Sequence, residues 1–342
     1  MRVLIIKTSS MGDILHTLPA LTDAAKNYPD IQFDWVVEEN FSEIPLWHPK
    51  VNRVIPIAFR RWRKQPLKAI SSGEWKNFYH HLRAEKYDAV IDAQGLVKSA
   101  FITRLARGKR CGLNRHSAWE PLATLAYQQT CAVKPDQHAV ARVRQLFAAI
   151  LKYPVPTDTP DYGIDQARLQ TVSYAESANK ENIIFLHGTT WPTKHWPETY
   201  WIELAQQITR AGFQIQIPWG NQPEYERAQR ISAGNKDIYI LPKLNLNEIA
   251  SVLKNAKAAV AVDTGLGHLA AALAVPTLSL YGPTDAKLTG AMGVNQLHLA
   301  AQFPCAPCLK STCTYQGPRN VEPACFGSLP PTLVWENFKR LL

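Results

Sequence analysis

Residues 1–21 read MRVLIIKTSSMGDILHTLPAL, and the fold turns on how that stretch is divided. Val3-Leu4-Ile5-Ile6 is a short apolar run of the kind used by a strand covered on both faces. Thr8-Ser9-Ser10-Met11-Gly12 then supplies a turn before a helical pattern resumes. Strand, turn and helix in that order open an α/β unit, and the turn falls where a nucleotide's phosphates often sit. Asp13 does not suit that use. A carboxylate at a helix N-terminus stabilises the helix but repels a pyrophosphate, so this turn is expected to serve something other than a phosphate.

The same rhythm continues along the chain. Residues 33–37, 54–57 and 89–92 repeat the apolar runs of a covered, mostly parallel sheet, and helical patterns fill the gaps. The segment RRWRKQPLK, residues 60–68, interrupts this rhythm and reads as an exposed loop or lid; periodicity returns in the amphipathic stretch 75–83. Residues 151–165, LKYPVPTDTPDYGID, concentrate prolines and aspartates in the manner of a linker. Strand patterns restart at 182–186 and recur at 213–218, 238–241, 258–262 and 277–281. The expected organisation is a Rossmann-like domain over 1–160, a second over 161–330, and a closing helix over 331–342 that packs back on the first domain. Two doubly wound domains facing each other would place ligands in the cleft between their strand C-terminal edges.

The chain has 342 residues, 46% of them hydrophobic, and a formal net charge of +10. That balance points to anionic partners, whether nucleic acid, lipid headgroups or phosphorylated small molecules. No hydrophobic signal region follows Met1 and no apolar run is long enough to cross a bilayer, so the expected location is cytoplasmic. Nucleic acid is disfavoured, because neither aromatic stacking platforms nor a known binding motif is evident. A nicotinamide dehydrogenase is disfavoured too, since no complete GxGxxG follows the first strand.

Three segments can carry chemistry. In AVDTGLGHLAAAL, residues 261–273, a strand ends at Val262, Asp263-Thr264-Gly265 turns, and a helix begins at Leu266 with free amides facing the turn. The same residues also fit a capped turn in which Asp263 satisfies amides and His268 packs against the sheet. In HGTTWPTKHWP, residues 187–197, Thr189, Thr190 and Lys194 follow a strand, and a lysine is a point charge suited to a diphosphate leaving group. In PWGNQPEYERA, residues 218–228, Glu224 lies just past a strand and could accept from ribose hydroxyls or simply open a helix. Apart from these, Cys305, Cys308, Cys313 and Cys325 have short spacings that could hold a structural zinc, the alternatives being reduced thiols or a disulfide.

Taken in order, KTSSMGDILHTLPAL, FDWVVEE, RRWRK, YDAVIDAQGLVKSA, KHWP, IPWG, LPK, VDTGLGHLAAAL and YGPTD resemble the bacterial lipopolysaccharide heptosyltransferases. The resemblance is strongest to the type I enzymes, which add the first heptose of the inner core. It implies a GT-B fold of two Rossmann-like halves and inversion at the anomeric carbon without a catalytic metal. The C-terminal half would bind ADP-L-glycero-D-manno-heptose and the N-terminal half Kdo-lipid A. Carried onto this chain, the resemblance makes Asp13 the general base and puts Thr189, Thr190 and Lys194 on the diphosphate. Glu224 falls on the ribose contact, Leu244 on the adenine pocket, and Asp263, Thr264, Gly265, Leu266 and His268 around the donor. Arg60, Arg61, Arg63, Lys64 and, more weakly, Lys98 fall on the acceptor's phosphates and carboxylates. Trp119 stands where the family pattern has arginine. The implied setting is peripheral, on the cytoplasmic face of an anionic inner membrane, with Trp62 able to lie at the lipid interface. The alternatives are a heptosyltransferase of type II or III that extends the core on heptose, and a non-catalytic nucleotide-sugar or polyanion-binding protein.

Overall fold

The structure is a computed structural model that describes residues 1–169 and 180–342. The chain divides into two compact units, Met1–Arg168 and Leu169–Leu342. In the first, strands β1 (Arg2–Ile6), β2 (Gln32–Glu38), β3 (Val51–Ile57), β4 (Tyr87–Asp92), β5 (Gly108–Leu113) and β6 (Gln129–Cys131) alternate with helices α1 (Met11–Leu15), α2 (Leu18–Asn27), α3 (Glu43–Leu46), α4 (Phe59–Lys64), α5 (Pro66–Ser71), α6 (Glu74–Arg83), α7 (Val97–Leu105) and α8 (Ala139–Leu151). The strands are all parallel, in the order β3-β2-β1-β4-β5-β6.

The second unit repeats this plan. Its strands are β7 (Asn182–Leu186), β8 (Gln214–Ile217), β9 (Ile238–Ile240), β10 (Ala258–Val262), β11 (Thr277–Tyr281) and β12 (Gln296–Ala300). They are parallel in the order β9-β8-β7-β10-β11-β12. Helices α9 (Glu198–Arg210), α10 (Gln222–Ser232), α11 (Leu246–Lys254), α12 (Gly265–Ala272), α13 (Ala286–Thr289) and α14 (Pro331–Phe338) complete it. In both units the order is that of a Rossmann sheet, which reverses direction between its first and fourth strands, and ligands bind at the strand C-termini on either side of that point.

Burial explains why these segments become strands. Val3, Leu4, Ile5 and Ile6 are all fully buried, as are Ile183, Ile184 and Phe185 in the matching strand, because helices cover both faces of each sheet. One face of the first sheet, carrying Leu4, Ile6 and Val90, packs on Phe78, Leu82 and Ile102. In the second unit Phe185, Val260 and Leu278 share a core with Trp196, Trp201, Phe326 and Phe338.

Three segments differ from expectation. Residues 60–64 are helical in α4 rather than an open loop. Trp62 anchors that helix: its indole N–H donates to Glu74 at 2.7 Å and its half-buried ring packs edge-on against Trp75 and Phe78. The proline-rich segment 151–165 packs along the first unit, where Arg144 donates to Asp158 and the Asp165 N–H donates to the Trp47 carbonyl at 2.9 Å. The closing helix α14 packs on α9 inside the second unit, burying Val334 and Phe338. No helix among the described residues is long and apolar enough to cross a membrane.

Candidate active site

In the first unit, the turn after β1 and the loop after β4 meet at the reversal point. Gln94 ties them together: its amide oxygen accepts from the Thr8 N–H at 2.8 Å and the Thr8 hydroxyl at 2.7 Å, and its amide nitrogen donates to the Ser9 carbonyl at 3.1 Å. Beneath it lies Asp92, fully buried, accepting from the N–H groups of Gln94 and Gly95 and from the Tyr127 hydroxyl. Burial pushes the Asp92 carboxyl above its usual range despite those bonds.

Asp13 is the third residue of α1 and does not cap it. Ser10 holds the cap position, and its N–H and hydroxyl both donate to Asp13 Oδ2 at 2.8 Å, the reciprocal half of a capping box. Lys7, buried at the end of β1, sets its ammonium 3.4 Å from Asp13 Oδ1 and donates to the Ala93 carbonyl at 3.1 Å. Partial burial raises the Asp13 carboxyl, but Lys7, the two Ser10 bonds and His16 outweigh it and hold the group down at about 2. Asp13 is therefore ionised throughout the neutral range, with part of its side chain open to solvent.

In the second unit, Asp263 at the end of β10 is the node. Its Oδ2 accepts from the Lys194 ammonium at 2.8 Å and from the Thr284 hydroxyl at 2.7 Å, and His268 Nε2 lies 3.8 Å from Oδ1. The Thr189 hydroxyl donates to the Asp263 carbonyl at 3.1 Å, joining the loop after β7 to the turn after β10. Lys194 also lies over the Trp191 ring, 4.6 Å from its centroid. Thr264 stands at the N-cap of α12 without a side-chain cap bond, which leaves first-turn N–H groups for an anion.

The other donor candidates fall along the same sheet edge. Glu224, on the first turn of α10, accepts from the Gly220 N–H and the Asn221 amide and sits against Gly188; a Cβ at Gly188 would lie 2.8 Å from its carboxyl carbon. Thr190 is exposed, and Leu244 is half-buried in the loop after β9. That loop is braced by Trp219, whose indole N–H donates to the Leu241 carbonyl at 2.7 Å.

Of the basic residues, Arg63, Lys64 and Lys98 are exposed and unpaired among the described residues. Arg60 lies over the Phe41 ring, and its backbone N–H donates to Glu38. Arg61 is already engaged, bonded to Glu39 and Glu74, which removes it from the free cations. Cys305 is exposed whereas Cys325 is buried beside Phe326, all four thiols are free, and no three His, Cys, Asp or Glu side chains among the described residues are grouped to hold a metal ion. Burial, with the neighbouring Cys305, Cys308 and Cys313, pushes the Cys325 thiol up to about 11, so it keeps its proton. The loop bearing them also braces the donor site: the Thr193 hydroxyl donates to the Lys310 carbonyl and the Leu309 N–H to the Pro283 carbonyl.

Lys7, Ser10, Gln94 and Thr284 were not apparent as site residues from sequence. The motifs that contain them gave the only signal: Gln94 and Thr284 act through residues that follow another strand, and Lys7 and Ser10 act on Asp13 within the first turn.

Comparison with known proteins agrees with this geometry. The family model for glycosyltransferase family 9 (heptosyltransferase) matches residues 75–318. The lipopolysaccharide heptosyltransferase 1 of Pseudomonas aeruginosa is 53% identical over 352 residues, spanning 100% of this chain and 98% of that protein. Its counterpart from Escherichia coli K12 is 52% identical over 298 residues, 87% of this chain and 92% of that one. Among solved structures, Escherichia coli heptosyltransferase WaaC with ADP matches with a TM-score of 0.87 and 45% identity over 100% of both chains. The α/β fold of two Rossmann-like units and the heptosyltransferase resemblance are both borne out, and the chain belongs to glycosyltransferase family 9, the heptosyltransferases.

Proposed function

We propose that this chain transfers L-glycero-D-manno-heptose from ADP-heptose to the Kdo of Kdo-lipid A, with inversion at the anomeric carbon, in assembly of the lipopolysaccharide inner core. The family supplies heptose transfer. The donor is supported by the WaaC structures, solved with ADP and with ADP-2-deoxy-2-fluoro heptose. The observation that carries the reading is that the two reversal points hold complementary chemistry: an ionised carboxylate in the first unit, and an ammonium beside an uncapped helix N-terminus in the second.

In this mechanism the acceptor hydroxyl oxygen bonds to the anomeric carbon, its proton passes to Asp13, and the bond from that carbon to the diphosphate breaks. Held near 2, Asp13 is a weak base. It accepts the proton late, once bond formation has made the attacking oxygen acidic. Charge gathering on ADP is met by Lys194, the hydroxyls of Thr189 and Thr190, and the α12 amides at Gly265 and Leu266. When Lys194 turns to the diphosphate, Thr284 and His268 remain to hold Asp263 for the heptose hydroxyls. Glu224 takes the ribose and Leu244 the adenine. Arg60, Arg63, Lys64 and Lys98 receive the acceptor's anionic groups at the cytoplasmic face of the inner membrane. No metal has a part in it.

Acceptor profiling tests the reading. With ADP-heptose as donor, heptose should pass to Kdo-terminated lipid A and not to a heptose-terminated core. Turnover confined to the heptose-terminated acceptor would contradict the assignment and favour a later core transferase.

A further inference from the structure

We infer that the face made by α7 and the 3-10 helix over Pro121–Ala126 docks on an anionic lipid bilayer. Five large apolar side chains there are open to solvent: Val97 at 48%, Phe101 at 50%, Trp119 at 70%, Leu122 at 71% and Leu125 at 84%. They are aligned, not scattered. Val97 and Phe101 are one turn apart on α7, while Leu122 and Leu125 are one turn apart on a helix with three residues per turn. The 3-10 helix packs on α7, which puts the two stripes on neighbouring elements. A grouped apolar surface of this kind marks an interaction site.

Charge selects the occupant. Residues 60–110 hold thirteen Lys and Arg against four Asp and Glu, and beside the stripes α7 exposes Lys98 and Arg104, with Glu120 engaged on the Val97 N–H at 2.6 Å. An apolar stripe inside a basic field fits acyl chains beneath anionic headgroups. A second copy of this chain would set the same positive surroundings against themselves, which disfavours self-association through this face. Docking is interfacial, because no helix among the described residues can span a bilayer. The position also suits the chemistry. Helix α7 starts two residues after Gly95, at the loop where Gln94 holds Ser9, so the docked face adjoins the sheet edge that carries Asp13. The inference rests on the lipid-linked acceptor proposed above and names the surface that meets its membrane.

The test uses the full chain with vesicles of phosphatidylethanolamine and phosphatidylglycerol, and with phosphatidylcholine vesicles as control. Cosedimentation should require phosphatidylglycerol and weaken with salt. Leu122→Ser with Leu125→Ser should reduce it roughly tenfold or more, while transfer to a water-soluble, deacylated acceptor is unchanged. Equal cosedimentation of this double variant and the unmodified chain would overturn the inference. Hydrogen exchange on the unmodified chain supplies a reading independent of any variant's folding. Exchange over residues 119–126 should slow on anionic vesicles, and protection elsewhere but not there would also overturn it. Vesicle binding through this face in a chain that transfers no heptose would uphold the surface and remove the functional reading.

Discussion

Asp13 is held ionised rather than tuned toward neutrality, and Lys7 is what holds it there. Its depressed value has a definite sign for stability. The contribution is fully present above the ordinary carboxylate range, neutral pH included, and is lost only as the pH falls through about 2. For activity, replacing Lys7 with Gln should move the acid limb of the pH profile of kcat/KM upward, because the main group lowering Asp13 is gone. An unmoved limb would release Lys7 from this role. On the donor side, Lys194→Gln should lower kcat by roughly a hundredfold or more in steady-state assays, since it removes the cation that meets the leaving diphosphate. At Gly188 the Cβ of alanine would press on Glu224, so Gly188→Ala should weaken ADP-heptose binding by calorimetry with little effect on the folding of the first unit. The places of Asp13 and Lys194 at sheet edges were legible because each follows a strand and a turn, while the roles given to them rest on the family resemblance. Gln94 was not legible as a brace, because its bond to Thr8 spans 86 residues and exists only because β4 lies beside β1.

At the level of elements, local pattern failed where tertiary contact decides. Residues 60–68 have no helical periodicity of their own, yet α4 forms because Trp62 is fixed between Glu74, Trp75 and Phe78. The closing helix was legible as a helix but not as a part of the second unit. What decides its place is the match of Val334 and Phe338 to the core around Trp196 and Trp201. Phe338→Ala should therefore cost about 3–5 kcal/mol in denaturant unfolding. A loss well under 1 kcal/mol would mean that the helix contributes little to that core. Of the four cysteines with zinc-like spacing, Cys325 is buried and Cys305 exposed, and Cys305, Cys308 and Cys313 all neighbour Cys325.

For the whole molecule, the two six-stranded sheets repeat one strand order, and each reversal point carries half of the proposed chemistry. Apolar runs made nine of the twelve strands legible, whereas β5, β6 and β12, rich in Gly, Arg, Gln and His, carry no such run; the first unit extends to Arg168, with Arg144 and Trp47 binding the proline-rich segment to it. With a net charge of +10 and free cations at Arg63, Lys64 and Lys98, the KM for the acceptor should rise with ionic strength more steeply than that for the donor. Equal salt slopes would argue that these cations do not meet the acceptor. The central claim is that the base lies in one unit and the donor site in the other, so that donor binding and transfer are separable by mutation. The direct measurement is on Asp13→Ala: calorimetric titration with ADP-heptose, followed by transfer to Kdo-lipid A. The account predicts unchanged donor affinity and no transfer, and transfer at a near-normal rate would contradict it.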